Sequence, residues 1–197
     1  MGSSKQDGEG KKKVTEIKIF PVEFPLEENQ GNLTIKIFTS SKSSQEQIIN
    51  KARNLHKQGN ITEATKYYQQ LINEGCNNHR VYSNYGLILQ DLGKLKDAEV
   101  SYQKAIEIKP DFAIAHSNLG NILKDLGKLQ EAEISYRKAI DLQPDYANAH
   151  SNLGNILRDL GKLKDAELLY RKAIELNPDY AEAYSNLGTI LSDLGKL

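Results

Sequence analysis

The sequence predicts an all-α fold, a solenoid of tandem antiparallel helix pairs, on the basis of three observations. First, the chain of 197 residues repeats with a period of 34, and segments 113–146 and 147–180 are identical at 26 of 34 aligned positions. Second, each copy holds two stretches with the apolar spacing of amphipathic helices. Third, glycine and proline stand at fixed places between those stretches. Because one helical hairpin cannot bury its own apolar faces, we expect the copies to stack.

The first 44 residues form an N-terminal extension that precedes the repeats. Residues 1–13 are polar and of low complexity, which favours disorder. Segments 15–20 and 33–38 alternate apolar and polar residues, as half-buried strands do. We therefore expect the extension to be flexible or weakly β, with a loose hairpin or an extended arm at 15–38. Residues 39–44 are expected to form a short flexible link.

The repeats are predicted to cover residues 45–197. Copy 45–78 is degenerate, copies 79–112, 113–146 and 147–180 are complete, and 181–197 is half a copy. Without a second helix in the last copy, its apolar face would lack cover on one side. We expect the chain to belong to a longer protein, and we expect this uncapped C-terminal end to permit self-association.

Each copy predicts a first helix and a second helix joined by a glycine turn. In 113–146 the first helix is expected over 113–126, and Gly127 stands where a residue with positive φ can end it. The second helix is expected over about 130–142, and Pro144 prevents it from continuing. The small residues Gly120 and Ala132 should let the two helices approach closely. The remaining residues of the two apolar stripes are His116, Leu119, Leu123, Tyr136, Ala139 and Ile140.

This pattern resembles the tetratricopeptide repeat (TPR) family over about three-quarters of the chain. The resemblance implies a right-handed superhelix of helix pairs, in which the first helix of each pair lines a concave groove that binds peptides or protein segments. The residues that carry it are Leu119, Gly120, Ala132, Tyr136, Ala139 and Pro144, and their equivalents Leu153, Gly154, Ala166, Tyr170, Ala173 and Pro178.

A Ser-Asn pair recurs in every first helix from the second copy onward, although asparagine costs about 0.5 kcal/mol relative to alanine inside a helix. Helical spacing places Ser117, Asn118 and Asn121 opposite the apolar stripe, so core packing does not explain them. A carboxamide offers a donor and an acceptor together and can bind the N–H and C=O of an extended peptide. The candidate groove residues are Asn84, Asn118, Asn121, Asn152, Asn155, Asn186, Ser117, Ser151, Asp125 and Asp159.

More narrowly, the repeats are similar to those of O-linked N-acetylglucosamine transferase-like proteins. That resemblance implies an asparagine ladder for substrate peptides at Asn84, Asn118, Asn152 and Asn186. Asn121 and Asn155 could assist, in a second column that Leu87 and Thr189 interrupt. The alternative is that recent duplication copied the whole unit without regard to function, and both interpretations stay open.

A column of aspartates, which includes Asp125 and Asp159, lies near the carboxyl ends of the first helices, where a negative charge is mildly unfavourable. Neighbouring basic side chains such as Lys124 and Arg158 are the favoured partners, and a basic side chain on a bound peptide is the alternative. Ser117 and Ser151 occupy the positions where some family members carry the lysines of a carboxylate clamp. We therefore do not expect such a clamp.

Composition narrows the function. With 26 basic and 26 acidic residues the formal net charge is zero, which argues against nucleic acid and anionic membranes as partners. The single cysteine, Cys76, excludes an internal disulfide, and we expect a cytoplasmic protein with no cofactor or metal. No catalytic arrangement is visible, so we do not expect an enzyme within these residues.

We expect a scaffold that binds a peptide or protein segment. The alternative is the substrate-recruiting part of a larger glycosyl-, sulfo- or methyltransferase.

Overall fold

The structure of the chain is a computed structural model that describes residues 42–196, which belong to one compact unit, Thr39–Leu197. The predicted hairpin at 15–38 lies outside the described residues. The described part contains α-helices and no strand, which confirms the all-α prediction. The helices are α1 Lys42–Lys57, α2 Ile61–Asn73, α3 His79–Asp91, α4 Leu95–Ile108, α5 Ala113–Asp125, α6 Leu129–Leu142, α7 Ala147–Asp159, α8 Leu163–Leu176 and α9 Ala181–Asp193.

The helix pairs follow the 34-residue period. Helices α5 and α6 agree with the predicted 113–126 and 130–142 to within a residue at each end. The pairs α3/α4, α5/α6 and α7/α8 fall within the three complete copies. The structure differs at the beginning, because α1 starts at Lys42 and residues 42–44, expected to be part of a flexible link, form its first turn.

A glycine turn closes the first helix of each pair. Gly127 has a φ of +76°, a conformation that costs glycine little because it has no Cβ. Its N–H donates to the carbonyl of Lys124 at 2.9 Å, and the N–H of Lys128 donates to the carbonyl of Leu123 at 2.8 Å. These bonds satisfy carbonyls that the end of α5 would otherwise leave unpaired. The chain can then reverse into α6 within three residues.

In the pairs α3/α4, α5/α6 and α7/α8 a buried tyrosine of the second helix packs on a glycine of the first. The Tyr136 side chain is fully buried, and a Cβ added at Gly120 would lie 2.9 Å from its ring. Gly154 meets Tyr170 in the same way. The expected close approach at Gly120 is therefore confirmed. Because a tyrosine ring buries a large area, this contact is a main source of stability in each unit.

Stacking brings the odd-numbered helices together on one side. Helices α1, α3, α5 and α7 each contact the next odd-numbered helix, whereas the even-numbered helices described contact only odd-numbered ones. Successive odd-numbered helices approach each other more closely than successive even-numbered helices do. The odd-numbered helices therefore lie on the inner, concave side of the curved array. We call the surface that they present there the groove.

Ion pairs also join successive copies. Lys128 contacts Glu99 at 2.8 Å, and Lys162 contacts Glu133 at 2.9 Å. Lys196 contacts Glu167 at 2.6 Å. In each pair a basic residue from one glycine turn reaches a glutamate on the second helix of the preceding copy. The three glutamate side chains retain only 11–15% of their exposure, so these contacts form part of the interface between copies.

Candidate functional site

The four ladder asparagines, as we call Asn84, Asn118, Asn152 and Asn186, occupy one equivalent position on four odd-numbered helices. Their side chains are all partly exposed, neither enclosed between copies nor fully in solvent. The helices that carry them lie next to one another, so the asparagines follow the groove from α3 to α9. Asn84 also lines a shallow cavity of about 290 Å³ together with Arg53, His56, Lys57 and Leu87.

The serines that precede the ladder asparagines do not share their exposure. Ser117 is 2% exposed and Ser151 is fully buried, so the expectation that they line the open groove is wrong. The reason is packing by the next copy. Ser185, the equivalent residue on α9, is exposed, and no helix pair follows α9 within the described residues. A small side chain is needed here because each first helix is flanked on this side by the next helix pair.

The second column of asparagines is hydrogen-bonded inside the array. The hydroxyl of Tyr136 donates to Oδ1 of Asn121 at 2.5 Å, and the hydroxyl of Tyr170 donates to Oδ1 of Asn155 at 2.8 Å. Both phenols are buried, and burial raises the pKa of Tyr170 to about 12. We call Asn121 and Asn155 the anchor asparagines, because each satisfies a phenol that would otherwise have no partner.

Each anchor asparagine also contacts a ladder asparagine of the following copy. Nδ2 of Asn152 donates to Oδ1 of Asn121 at 3.3 Å, and Nδ2 of Asn186 donates to Oδ1 of Asn155 at 3.1 Å. A chain of hydrogen bonds therefore runs from the buried tyrosine through the anchor to the groove. Within the described residues, the carbonyl oxygens of Asn152 and Asn186 make no hydrogen bond, which leaves them available to a ligand.

The contacts of Tyr136 and Tyr170 in this network were not predicted from the sequence. The sequence did contain a signal for this contact. A buried phenol needs a hydrogen-bond partner, and the repeat pattern places Asn121, 15 residues before Tyr136, on the helix that pairs with the helix of Tyr136. The copy 79–112 shows the consequence of losing the anchor. Leu87 stands at the anchor position, and the buried hydroxyl of Tyr102 has no hydrogen-bond partner in the structure.

Two members of the aspartate column, Asp125 and Asp159, have the basic neighbours that the sequence favoured. Asp125 lies 3.8 Å from the ammonium of Lys124, and Asp159 lies 3.3 Å from the guanidinium of Arg158. Asp125 and Asp159 keep 38% and 39% of their side-chain exposure. Exposed pairs of this kind contribute little to stability. Asp125 and Asp159 therefore sit beside the groove as partly neutralised charges.

The histidines and the cysteine have structural contacts. Nε2 of His116 and of His150 lies 2.9 Å from the carbonyl oxygens of Pro110 and Pro144, respectively, in the turns that enter their helices. Cys76 is buried, and burial raises the pKa of its thiol. Among the described residues there is no group of three or more His, Cys, Asp or Glu side chains placed to hold a metal ion. No helix in that part of the chain has both the length and the apolar character to cross a membrane.

The repeat geometry agrees with a family model. The model of the TPR repeat matches residues 86–127, 120–157 and 154–195, which together cover more than half of the chain. The chain belongs to the TPR repeat family. Repeats of this family are typically interaction modules without catalytic activity, and no catalytic domain is evident in the matched residues. The narrower resemblance to O-linked N-acetylglucosamine transferases stays a prediction.

Solved structures share the fold. A MamA protein is 24% identical with a TM-score of 0.70, and the match covers 77% of this chain and 83% of that one. YrrB, described as a TPR protein with an unusual peptide-binding site, is 21% identical with a TM-score of 0.65 over 76% of this chain and 77% of that chain. The first TPR of Spaghetti (RPAP3), bound to the HSP90 peptide SRMEEVD, is 27% identical with a TM-score of 0.59. That match covers 60% of this chain and 94% of the other.

No curated protein matches the chain by sequence. The structural likenesses give no support to the alternative of a transferase's recruiting segment.

Proposed function

We propose that the solenoid binds an extended peptide or protein segment along the groove, and that the ladder asparagines hold its backbone. The observation that carries this proposal is the repetition of one partly exposed carboxamide on four helices that lie side by side. The likeness to a TPR domain bound to a peptide supports it, at 27% identity.

The chemistry of the ladder suits a peptide backbone better than particular side chains. A carboxamide can accept from a backbone N–H and donate to a backbone C=O at the same time. The same group repeated along the groove can engage successive stretches of one extended chain. Asp125 and Asp159, already beside basic groups, would lie at the edge of such a ligand and favour basic over acidic side chains there.

The proposal is tested with peptides selected from a random 12-residue phage library on the full chain. A selected peptide is labelled with fluorescein, and its affinity is measured by anisotropy. Changing both Asn118 and Asn152 to alanine should weaken binding at least about tenfold, because each lost amide removes hydrogen bonds worth about 1 kcal/mol each. Circular dichroism should show unchanged helicity and melting.

Two controls make this test specific. Asn148 is exposed on α7 but lies outside the ladder, so Asn148→Ala should leave the affinity unchanged. Esters that replace single peptide bonds of the ligand should weaken binding at several positions, whereas alanine substitutions along the ligand should have smaller effects. Unchanged affinity in the Asn118→Ala, Asn152→Ala double variant would contradict the proposal, as would a library that yields no binding peptide.

A further inference from the structure

Two of the ladder asparagines are held in place before any ligand arrives. Oδ1 of Asn121 accepts from the buried Tyr136 hydroxyl at 2.5 Å and from Nδ2 of Asn152 at 3.3 Å. The tyrosine ring is fully buried against Gly120, so it restrains the anchor, and the anchor orients the Asn152 amide. The equivalent bonds of Tyr170, Asn155 and Asn186 repeat the arrangement one copy later.

This orientation matters for what the groove presents. Asn152 uses one N–H for the anchor and keeps its carbonyl oxygen and its other N–H, the two groups that a peptide backbone requires. A side chain already held in one rotamer loses less conformational entropy when it binds a ligand. A held carboxamide should therefore bind backbone more tightly than a free one.

The other two ladder asparagines lack this anchor. At the position that would support Asn118 stands Leu87, which has no polar side-chain atom, and Asn118 makes no side-chain hydrogen bond within the described residues. At the position that would support Asn84 stands Arg53, whose guanidinium can only donate and bonds to Oδ1 of Asn50 at 3.1 Å. The Tyr68 hydroxyl lies beside Asn84 but makes no well-formed hydrogen bond, so no anchor links the two side chains.

We propose that Asn121 and Asn155 are positioning residues for the ladder, and that the groove therefore grips a peptide backbone most strongly along α7 and α9. This inference rests on the proposed function. It adds that the four ladder positions are unequal and that the difference is set one copy away, by residues that need not touch the ligand.

The test is a double-mutant cycle on the full chain with the selected fluorescein-labelled peptide. Asn121→Leu should weaken binding about fivefold, and Asn152→Ala should weaken it about five- to tenfold. If Asn121 acts through Asn152, the double variant should bind no more weakly than Asn152→Ala alone. A general structural defect would instead add to the loss.

Leucine at this position is compatible with the fold, because Leu87 already occupies the equivalent site. Asn121→Asp serves as the conservative variant: a carboxylate can accept from both Tyr136 and Asn152, so its affinity should stay within about threefold of the parent. The reverse change, Leu87→Asn, places an acceptor beside the unpartnered hydroxyl of Tyr102 and should tighten binding about threefold through Asn118.

The outcomes separate the two proposals. The positioning role would be overturned if Asn152→Ala weakened binding and Asn121→Leu did not. Additive losses in the cycle would overturn it as well. Either result would leave the peptide-binding groove intact. A peptide that binds Asn152→Ala as tightly as the parent would overturn both. Non-additive losses together with a gain in Leu87→Asn would establish the unequal ladder.

Discussion

At the scale of single residues, Tyr102 and Tyr136 occupy equivalent positions and differ in one hydrogen bond. Both side chains are fully buried, and burial raises the pKa of each phenol well above its ordinary value. Tyr136 donates to Asn121, whereas the hydroxyl of Tyr102 has no partner. A buried hydroxyl without a partner is a cost, since water solvates it in the unfolded chain.

This difference predicts that the same substitution has different effects on stability at the two positions. Tyr136→Phe should lower the free energy of unfolding by about 1 kcal/mol, because it removes a buried hydrogen bond and leaves Asn121 short of a donor. Tyr102→Phe should leave that free energy unchanged or raise it, since the phenol it removes is unsatisfied. Urea unfolding followed by circular dichroism measures both. Equal losses in the two variants would show that the Tyr136 bond does not contribute.

The same residues show what the sequence could predict about the site and what it could not. Helical spacing placed Asn118 and Ser117 on one side of α5, away from the apolar stripe, and only the asparagine is accessible. One helix has two flanks in a stack, and the following pair covers the serine. The spacing of residues along one helix gives no information about which flank the following helix pair covers. The exposed Ser185 on α9 shows that burial of the serine depends on that pair.

At the scale of helices, the contacts between copies depend on charge as well as on apolar packing. Glu133 on α6 accepts from Arg137 of its own helix at 2.8 Å and from Lys162 of the next turn at 2.9 Å. Hydrogen bonds from Arg137 and then Lys162 hold the pKa of Glu133 below its ordinary value of 4.5. Glu167 has the same arrangement with Lys196 and Arg171, and its pKa is also lowered.

The lowered pKa of Glu133 predicts how stability depends on pH. Because the folded pKa lies below the unfolded one, the folded state favours the carboxylate, and its contribution is complete above the unfolded pKa. The contribution is lost as the pH falls through the folded pKa. The melting temperature should therefore decline as the pH is lowered from about 5 towards 3.

Glu133→Gln isolates this contribution. At pH 7 the substitution should cost roughly 1 kcal/mol, and the difference between variant and parent should shrink as the pH falls towards 3. Glu175→Gln is the matched control, since Glu175 pairs with Lys172 at 2.7 Å within one helix and keeps 68% of its side-chain exposure. It should cost less at pH 7. A Glu133→Gln difference that persists unchanged at pH 3 would show that the ion pairs are not its source.

At the scale of the whole array, contacts are local along the sequence. Each described helix touches only helices one or two places away in the order α1 to α9. This is why the fold was predictable. The 34-residue period defines the helix pair, and it implies that the next pair along the sequence buries the apolar face of that pair. The helix bounds of α5 and α6 followed from glycine and proline positions, whereas the start of α1 at Lys42 did not, because the degenerate first copy has no such marker before it.

Local contacts also predict that the array can be lengthened. A second copy of residues 113–146 inserted between Tyr146 and Ala147 would create interfaces of kinds that already exist. The inserted equivalent of Lys128 would meet Glu133, as Lys162 does now, and the inserted equivalent of Asn118 would meet the anchor Asn121. Each interface between copies adds stability, and each copy adds surface that unfolding exposes.

The lengthened chain should therefore unfold at a higher urea concentration and with a larger m-value than the parent, with helicity per residue at least as high. Inserting the same segment with Asn121→Leu and Glu133→Gln in both copies serves as the control, because it adds the same apolar contacts without the anchor or the glutamate. Its midpoint should rise less. A lengthened chain that melts below the parent, or in two separate steps, would mean that stability in this array is not passed from neighbour to neighbour.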